Sequence, residues 1–182
     1  MGHVTRDVPF QPLNIAVLTV SDTRTMENDT SGDTLQEGLL EAGHKVWARQ
    51  IVKDDIYQLR AVVSDWIAQP AVQVVLVTGG TGFTDRDSTP EALLPLFDKQ
   101  VEGYGEMFRM LSFQEIGTST VQSRAVAGVA NHTVVFCMPG SPKACRTAWS
   151  KIIREQLDAR HRPCNFVEMV MPKAETACGA RS

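Results

Sequence analysis

The stretch VTGGTGFTDRDSTPEA, Val77 to Ala92, joins the end of an apolar run to the start of a helix. Val74, Val75, Leu76 and Val77 are uninterrupted aliphatic residues, the pattern of a strand covered on both faces. Gly79, Gly80 and Gly82 follow, where positive φ and close backbone approach carry no steric penalty. Thr89, with Pro90 just inside the first turn, then predicts a helix over 89–97. Strand, glycine loop and helix form half of a parallel α/β unit.

The rest of the chain repeats that unit. Residues 14–21 (NIAVLTVS) predict a buried strand. Residues 31–42 predict a helix carrying Leu35, Leu39 and Leu40, with Ser31 as N-cap and Gly43 as stop. A second strand is expected over 44–52. Over 55–69, Ile56, Leu59, Val62, Val63, Trp66 and Ile67 share one helical face, and Pro70 stops the helix. The third strand covers 72–77. Beyond the glycine loop, 103–117 predicts an interrupted helix. Segments 125–130 and 133–138 flank Asn131-His132 and read as a hairpin. A closing helix is expected over 141–159. Strands alternating with helices imply a three-layer α/β fold: a mostly parallel sheet, helices on both faces, and one late antiparallel hairpin strand. The organisation expected is an N-terminal arm (1–13), one domain (14–166) and a C-terminal tail (167–182), with residues 172–182 frayed.

At 182 residues, 43% hydrophobic and 21% charged, the chain suits one globular domain. A formal net charge of -3 provides no electrostatic footprint for nucleic acid or an anionic membrane. No signal pattern, myristoylation signal or membrane span is visible, so a cytoplasmic location is expected. Cys137, Cys145, Cys164 and Cys178 form no CxxC pair and read as free thiols, Cys137 being a core residue. The four histidines are scattered and suggest neither a metal cluster nor a hydrolytic triad.

Open parallel sheets bind ligands at the carboxyl ends of their strands. There the sequence places Ser21 and Asp22 after the first strand, and Asp54 and Asp55 after the second. Thr78, Gly79, Gly80, Thr81 and Gly82 follow the third, with Asp87 beyond them. Pro139, Gly140 and Ser141 follow the hairpin. Asp85 stands where a dinucleotide fingerprint needs its third glycine, which argues against a Rossmann site. The glycine loop can instead offer backbone N–H groups to an anion. Asp54 and Asp87 would repel a phosphate directly, but fit a hard divalent cation held between them and it. Asp54 or Asp55 could equally cap the following helix, and Asp87 could precede the next cap. Arg124, beside Ser123, could grip a phosphate or lie free on the surface.

TVSD (19–22), TSG (30–32), TGGTG (78–82), RDSTPEA (86–92), EGYGEMFR (102–109), SR (123–124) and MPGSPKA (138–144) occur in this order. Together they resemble the molybdenum cofactor biosynthesis family of MogA, MoaB and the gephyrin G domains, the MoaB branch most of all. The resemblance runs from about residue 14 to 166. It implies binding of molybdopterin, a pterin with a dithiolene and a terminal phosphate. It further implies that Mg²⁺ and ATP are used to adenylylate that phosphate, releasing pyrophosphate, with the product passing to a MoeA-type enzyme. Asp54 and Asp87 fall on the family's catalytic and metal-binding aspartates, although Lys53 replaces a proline before Asp54. The glycine loop, Ser123, Arg124 and the Pro139–Gly140–Ser141 turn would hold the phosphate region. A homo-oligomer, trimer or hexamer, is implied as well. A non-catalytic molybdopterin-binding or scaffolding protein of the same fold is the alternative.

Overall fold

The computed structural model describes residues 7–171. The chain forms β1 (Asn14–Val20), α1 (Thr30–Glu41), β2 (Lys45–Val52), α2 (Ile56–Ala68) and β3 (Val74–Thr78). After the glycine loop come α3 (Thr89–Leu93), a 3-10 turn (Leu94–Leu96), β4 (Lys99–Gln100) and α4 (Glu102–Ile116). A second 3-10 segment (Gly117–Gln122) leads to the β5 (Val126–Ala130) and β6 (Thr133–Met138) hairpin. The closing helix starts as α5 (Pro142–Ala148), passes through a π turn (Trp149–Ile153) and ends as α6 (Arg154–Gln156). A short α7 (Val167–Val170) follows.

One six-stranded sheet has the order β2-β1-β3-β6-β5-β4. β1 pairs in parallel with β2 and β3, and β3 in parallel with β6. β5 runs antiparallel to both β6 and β4, so it is the one reversed strand. Alternation along each strand sorts the core into two layers. Ile15, Val17, Val74, Leu76, Val134, Phe136 and Met138 face α1, α4 and the closing helix. Ala16, Leu18, Val20, Val75, Val77, Val135 and Cys137 face α2 and α3. Both faces are covered, which is why the central strands read as unbroken apolar runs rather than alternating ones.

Most expected elements are present, and the differences have local causes. α1 is capped by Asp29, whose Oδ1 accepts the Gly32 N–H at 2.9 Å, not by Ser31. The Ser31 hydroxyl instead donates to the Gly140 carbonyl at 3.2 Å. α4 is unbroken over fifteen residues despite its glycines. A Cβ on Gly105 would lie 2.5 Å from the Ala125 carbonyl oxygen, so glycine there serves close packing on β5 rather than a break. The expected helix over 89–97 tightens into a 3-10 turn after Leu93, and the two-residue edge strand β4 carried no period to read. Asn131 and His132 both take positive φ (46° and 64°), the left-handed pair that closes a two-residue hairpin. Packing continues past residue 166: Val167 and Val170 are buried in the same layer as Phe136. Residues 1–6 of the expected arm and 172–182 of the tail, including Cys178, lie outside the described residues. No helix among the described residues is long and apolar enough to cross a membrane.

Candidate functional site

The loops after β1, β2, β3 and β6 converge at the carboxyl edge of the sheet, and backbone contacts lock them together. The Gly79 N–H donates to the Met138 carbonyl at 3.1 Å. A Cβ on Gly140 would sit 2.9 Å from the Gly79 Cα, so the Pro139–Gly140–Ser141 turn lies directly on the glycine loop. Gly79 adopts φ +103°, and a side chain there would meet the Val20 carbonyl oxygen at 2.2 Å. Gly80 adopts φ +61°, and its missing Cβ would lie 2.3 Å from Thr89 Oγ1 and 2.9 Å from both Asp54 carboxylate oxygens. The loop is thus cut to let Asp54, Thr89 and the glycine backbone share one small volume.

The structure separates the roles of the neighbouring aspartates. Asp55 caps α2, accepting from the N–H groups of Tyr57 (2.9 Å) and Gln58 (2.8 Å). Asp54 is left to face the site. Its Oδ1 accepts the Ser88 N–H and hydroxyl, both at 3.3 Å. Burial raises its pKa above the usual carboxylate value, and the nearby Asp87 and Asp22 charges push the same way. Asp87 has the opposite environment. Its Oδ1 accepts the Gly82 N–H at 2.9 Å, and its Oδ2 accepts the Thr84 hydroxyl (2.6 Å) and N–H (3.0 Å). The Thr84 hydroxyl bond, with the two backbone bonds, holds the Asp87 carboxyl below its ordinary pKa despite partial burial.

Other expected site residues take structural tasks on the same edge. The Thr78 hydroxyl is buried and donates to the Pro139 carbonyl at 3.1 Å, tying β3 to the turn. The Thr81 side chain is buried as well. Ser21 Oγ accepts the N–H groups of Thr23 and Arg24, which folds its own loop. Ser141 caps α5 through the Ala144 N–H. Ser123 contributes its carbonyl to Arg109 at 3.5 Å. Arg124 does not lie free on the surface. Its Nε donates to the Thr81 carbonyl and its Nη2 to the Asp87 carbonyl, each at 3.1 Å. It also pairs with Glu91 and lies over the Phe83 ring at 5.0 Å. It braces the loop that carries Asp87.

Asp22 is fastened to Arg86, a residue that spacing alone did not single out. The pair is bidentate and spans 64 positions of sequence. Asp22 Oδ1 also accepts the Asp54 N–H at 3.3 Å. Among the described residues no group of three or more His, Cys, Asp or Glu side chains could hold a metal ion on its own. A hard cation here would take oxygens from Asp54 and Asp87 and complete its shell with phosphate and water, as Mg²⁺ commonly does. The buried Thr89 hydroxyl, which has no hydrogen-bond partner in the structure, adds another hard oxygen beside Gly80 and Asp54. The donor chemistry fits that ion.

Fold and site together define a mixed α/β protein with a glycine-loop site at the carboxyl edge of its sheet. A family described as "Probable molybdopterin binding domain" matches residues 16–159. Molybdenum cofactor biosynthesis protein B of Escherichia coli K12 is 66% identical over 157 residues, covering 86% of this chain and 92% of that protein. A crystal structure of a molybdenum cofactor biosynthesis protein B superposes with a TM-score of 0.79 at 47% identity, covering 81% of this chain and 92% of that one. The tungsten cofactor synthesizing protein MoaB from Pyrococcus furiosus gives 0.73 at 36% identity, with 82% and 94% covered. The chain belongs to the molybdenum cofactor biosynthesis family of MoaB and MogA.

Proposed function

We propose that this chain binds molybdopterin and transfers the adenylyl group of ATP to its terminal phosphate. The observation that carries the reading is the interlock of Gly80 with Asp54 and Thr89, which brings a carboxylate and an unpartnered hydroxyl oxygen against the glycine loop. In the reaction a terminal phosphate oxygen attacks the α-phosphorus of ATP. The bond from that phosphorus to the β-bridging oxygen breaks, and pyrophosphate leaves with the electron pair. The Gly79 and Gly82 N–H groups are engaged by the Met138 carbonyl and the Asp87 carboxylate, so the N–H groups between them, of Gly80 and Thr81, would hold the nucleophile in line. Asp54 and Asp87 are the residues that would hold Mg²⁺, and Mg²⁺ bound there supplies positive charge against the two phosphates that must meet. Arg124 fixes the backbone at Thr81 and Asp87 so that the second carboxylate stays in register.

One observation favours a second reading. The Asp87 carboxylate already accepts three hydrogen bonds within its own loop, which suits a purely structural clamp. A non-catalytic molybdopterin-binding or scaffolding protein would need no more than that. Turnover separates the two. Protein, molybdopterin and Mg-ATP should release pyrophosphate only when all are present; binding of molybdopterin without release would support the second reading. Assembly into a trimer or hexamer and transfer of product to a MoeA-type enzyme belong to the same proposal, and sedimentation velocity tests the first of these.

A further inference from the structure

The Asp22 and Asp87 charges act on Asp54, at a site that is proposed to take polyphosphate. The cations beside it are therefore decisive. Arg124 is engaged by two carbonyls and Glu91. Arg86 is engaged differently. Its Nη2 donates to Asp22 Oδ1 at 2.8 Å and Oδ2 at 2.7 Å, and its Nε to Oδ2 at 3.1 Å. The pair bridges the loop after β1 and the loop after β3. It lies beside Asp54, because Asp22 Oδ1 also accepts the Asp54 N–H at 3.3 Å. Both ends stand on folded loops: Ser21 Oγ organises one, and the Asp87 N–H to Thr84 carbonyl bond (3.0 Å) organises the other. Yet the side chains are 64% and 39% exposed, so the pair is screened and opens easily.

We infer that Arg86 is the phosphate-binding cation of this site and Asp22 its exchangeable placeholder: an incoming pyrophosphate group takes over the guanidinium that Asp22 holds in the unliganded protein. The planar fork that now meets two carboxylate oxygens matches two phosphate oxygens equally well. Asp22 also keeps Arg86 aimed at the site rather than into solvent. When the anion leaves, the carboxylate recovers the guanidinium, which limits how tightly pyrophosphate is retained. The nature of the anion rests on the adenylyl-transfer reading; the partner exchange rests on the Asp22–Arg86 geometry.

Calorimetric titration of inorganic pyrophosphate, with Mg²⁺, into wild type, Asp22→Asn, Arg86→Gln and the double variant tests the exchange. Asp22→Asn should tighten binding by about three- to tenfold, since a competing carboxylate is removed while the fork is kept. Arg86→Gln should weaken binding, and in its background Asp22→Asn should lose its benefit. Arg86→Lys should fall between, having charge without the fork. Thermal melts check that each variant is folded, which is expected at exposed positions. Unchanged or weaker binding in Asp22→Asn overturns the placeholder role, as does the absence of pyrophosphate binding in every protein. Wild-type turnover, followed separately, tells failure of the exchange from failure of the adenylyl-transfer reading.

Discussion

At the residue scale, a glycine is required wherever backbone meets backbone. A methyl on Gly79 would lie 2.2 Å from the Val20 carbonyl oxygen at a φ of +103°, and neither can yield without moving β1 or β3. Gly79→Ala should destabilise by about 2–4 kcal/mol, read as a lower urea midpoint. His44 carries a pH signature. It is buried, its Nδ1 accepts the Leu13 N–H at 3.2 Å, and burial lowers its pKa to about 4. The folded pKa lies below the unfolded value, so the unfolded chain binds more protons between the two. The stabilisation is complete above about pH 6.5 and is lost as pH falls toward 4. From pH 7 to 5 this group should remove about 2 kcal/mol of stability, and His44→Phe should flatten that part of the urea midpoint profile. The sequence showed which aspartates flank the strands, and it could not assign their tasks. Asp54 and Asp55 are adjacent, and only the entry angle of α2 decides that Asp55 caps while Asp54 faces Ser88. Arg86 and Asp22 meet through tertiary structure, across a separation no local spacing encodes.

At the element scale, caps and helix interiors respond differently to small changes. Asp29 is almost fully buried, caps α1, accepts the Thr19 hydroxyl at 2.7 Å and pairs with Arg49 at 3.0 Å. Asp29→Ala strips a cap and removes one of the two carboxylates that hold a largely buried guanidinium, while Arg49 keeps Asp33 at 2.6 Å, so a loss of about 2–3 kcal/mol is expected. Ser31→Ala, at the position the sequence pattern favoured as cap, removes one hydrogen bond to Gly140 and should cost about 1 kcal/mol. Denaturant titration of both variants separates the two caps. Gly103 lies exposed in α4, and an alanine methyl there would meet nothing within 4 Å, so Gly103→Ala should raise stability by about 0.5–1 kcal/mol. Long amphipathic elements such as α2 were legible because six apolar residues share its face. α4 was harder because its glycines mimic a break, and its continuity depends on Tyr104 and Phe108 packing beneath it, beside Phe136.

At the scale of the whole molecule, a sheet covered on both faces places four loops on one edge. The alternation of strands and helices made that architecture readable, and the family motifs marked the same loops. The packing beyond residue 165 was less readable: Phe166 meets Phe136 edge-on at 6.1 Å, and Val167 and Val170 complete the layer. A chain ending at Asn165 should therefore unfold at lower temperature, since three apolar side chains leave the core. The central claim is that the carboxyl-edge site transfers an adenylyl group. The most direct measurement is molybdopterin-dependent pyrophosphate release from Mg-ATP by wild type and Asp54→Asn, with molybdopterin binding followed in parallel. The account predicts release by the wild type and a loss of about 100-fold or more in the folded variant, with binding retained. Full activity in Asp54→Asn, or binding without release in the wild type, would contradict it.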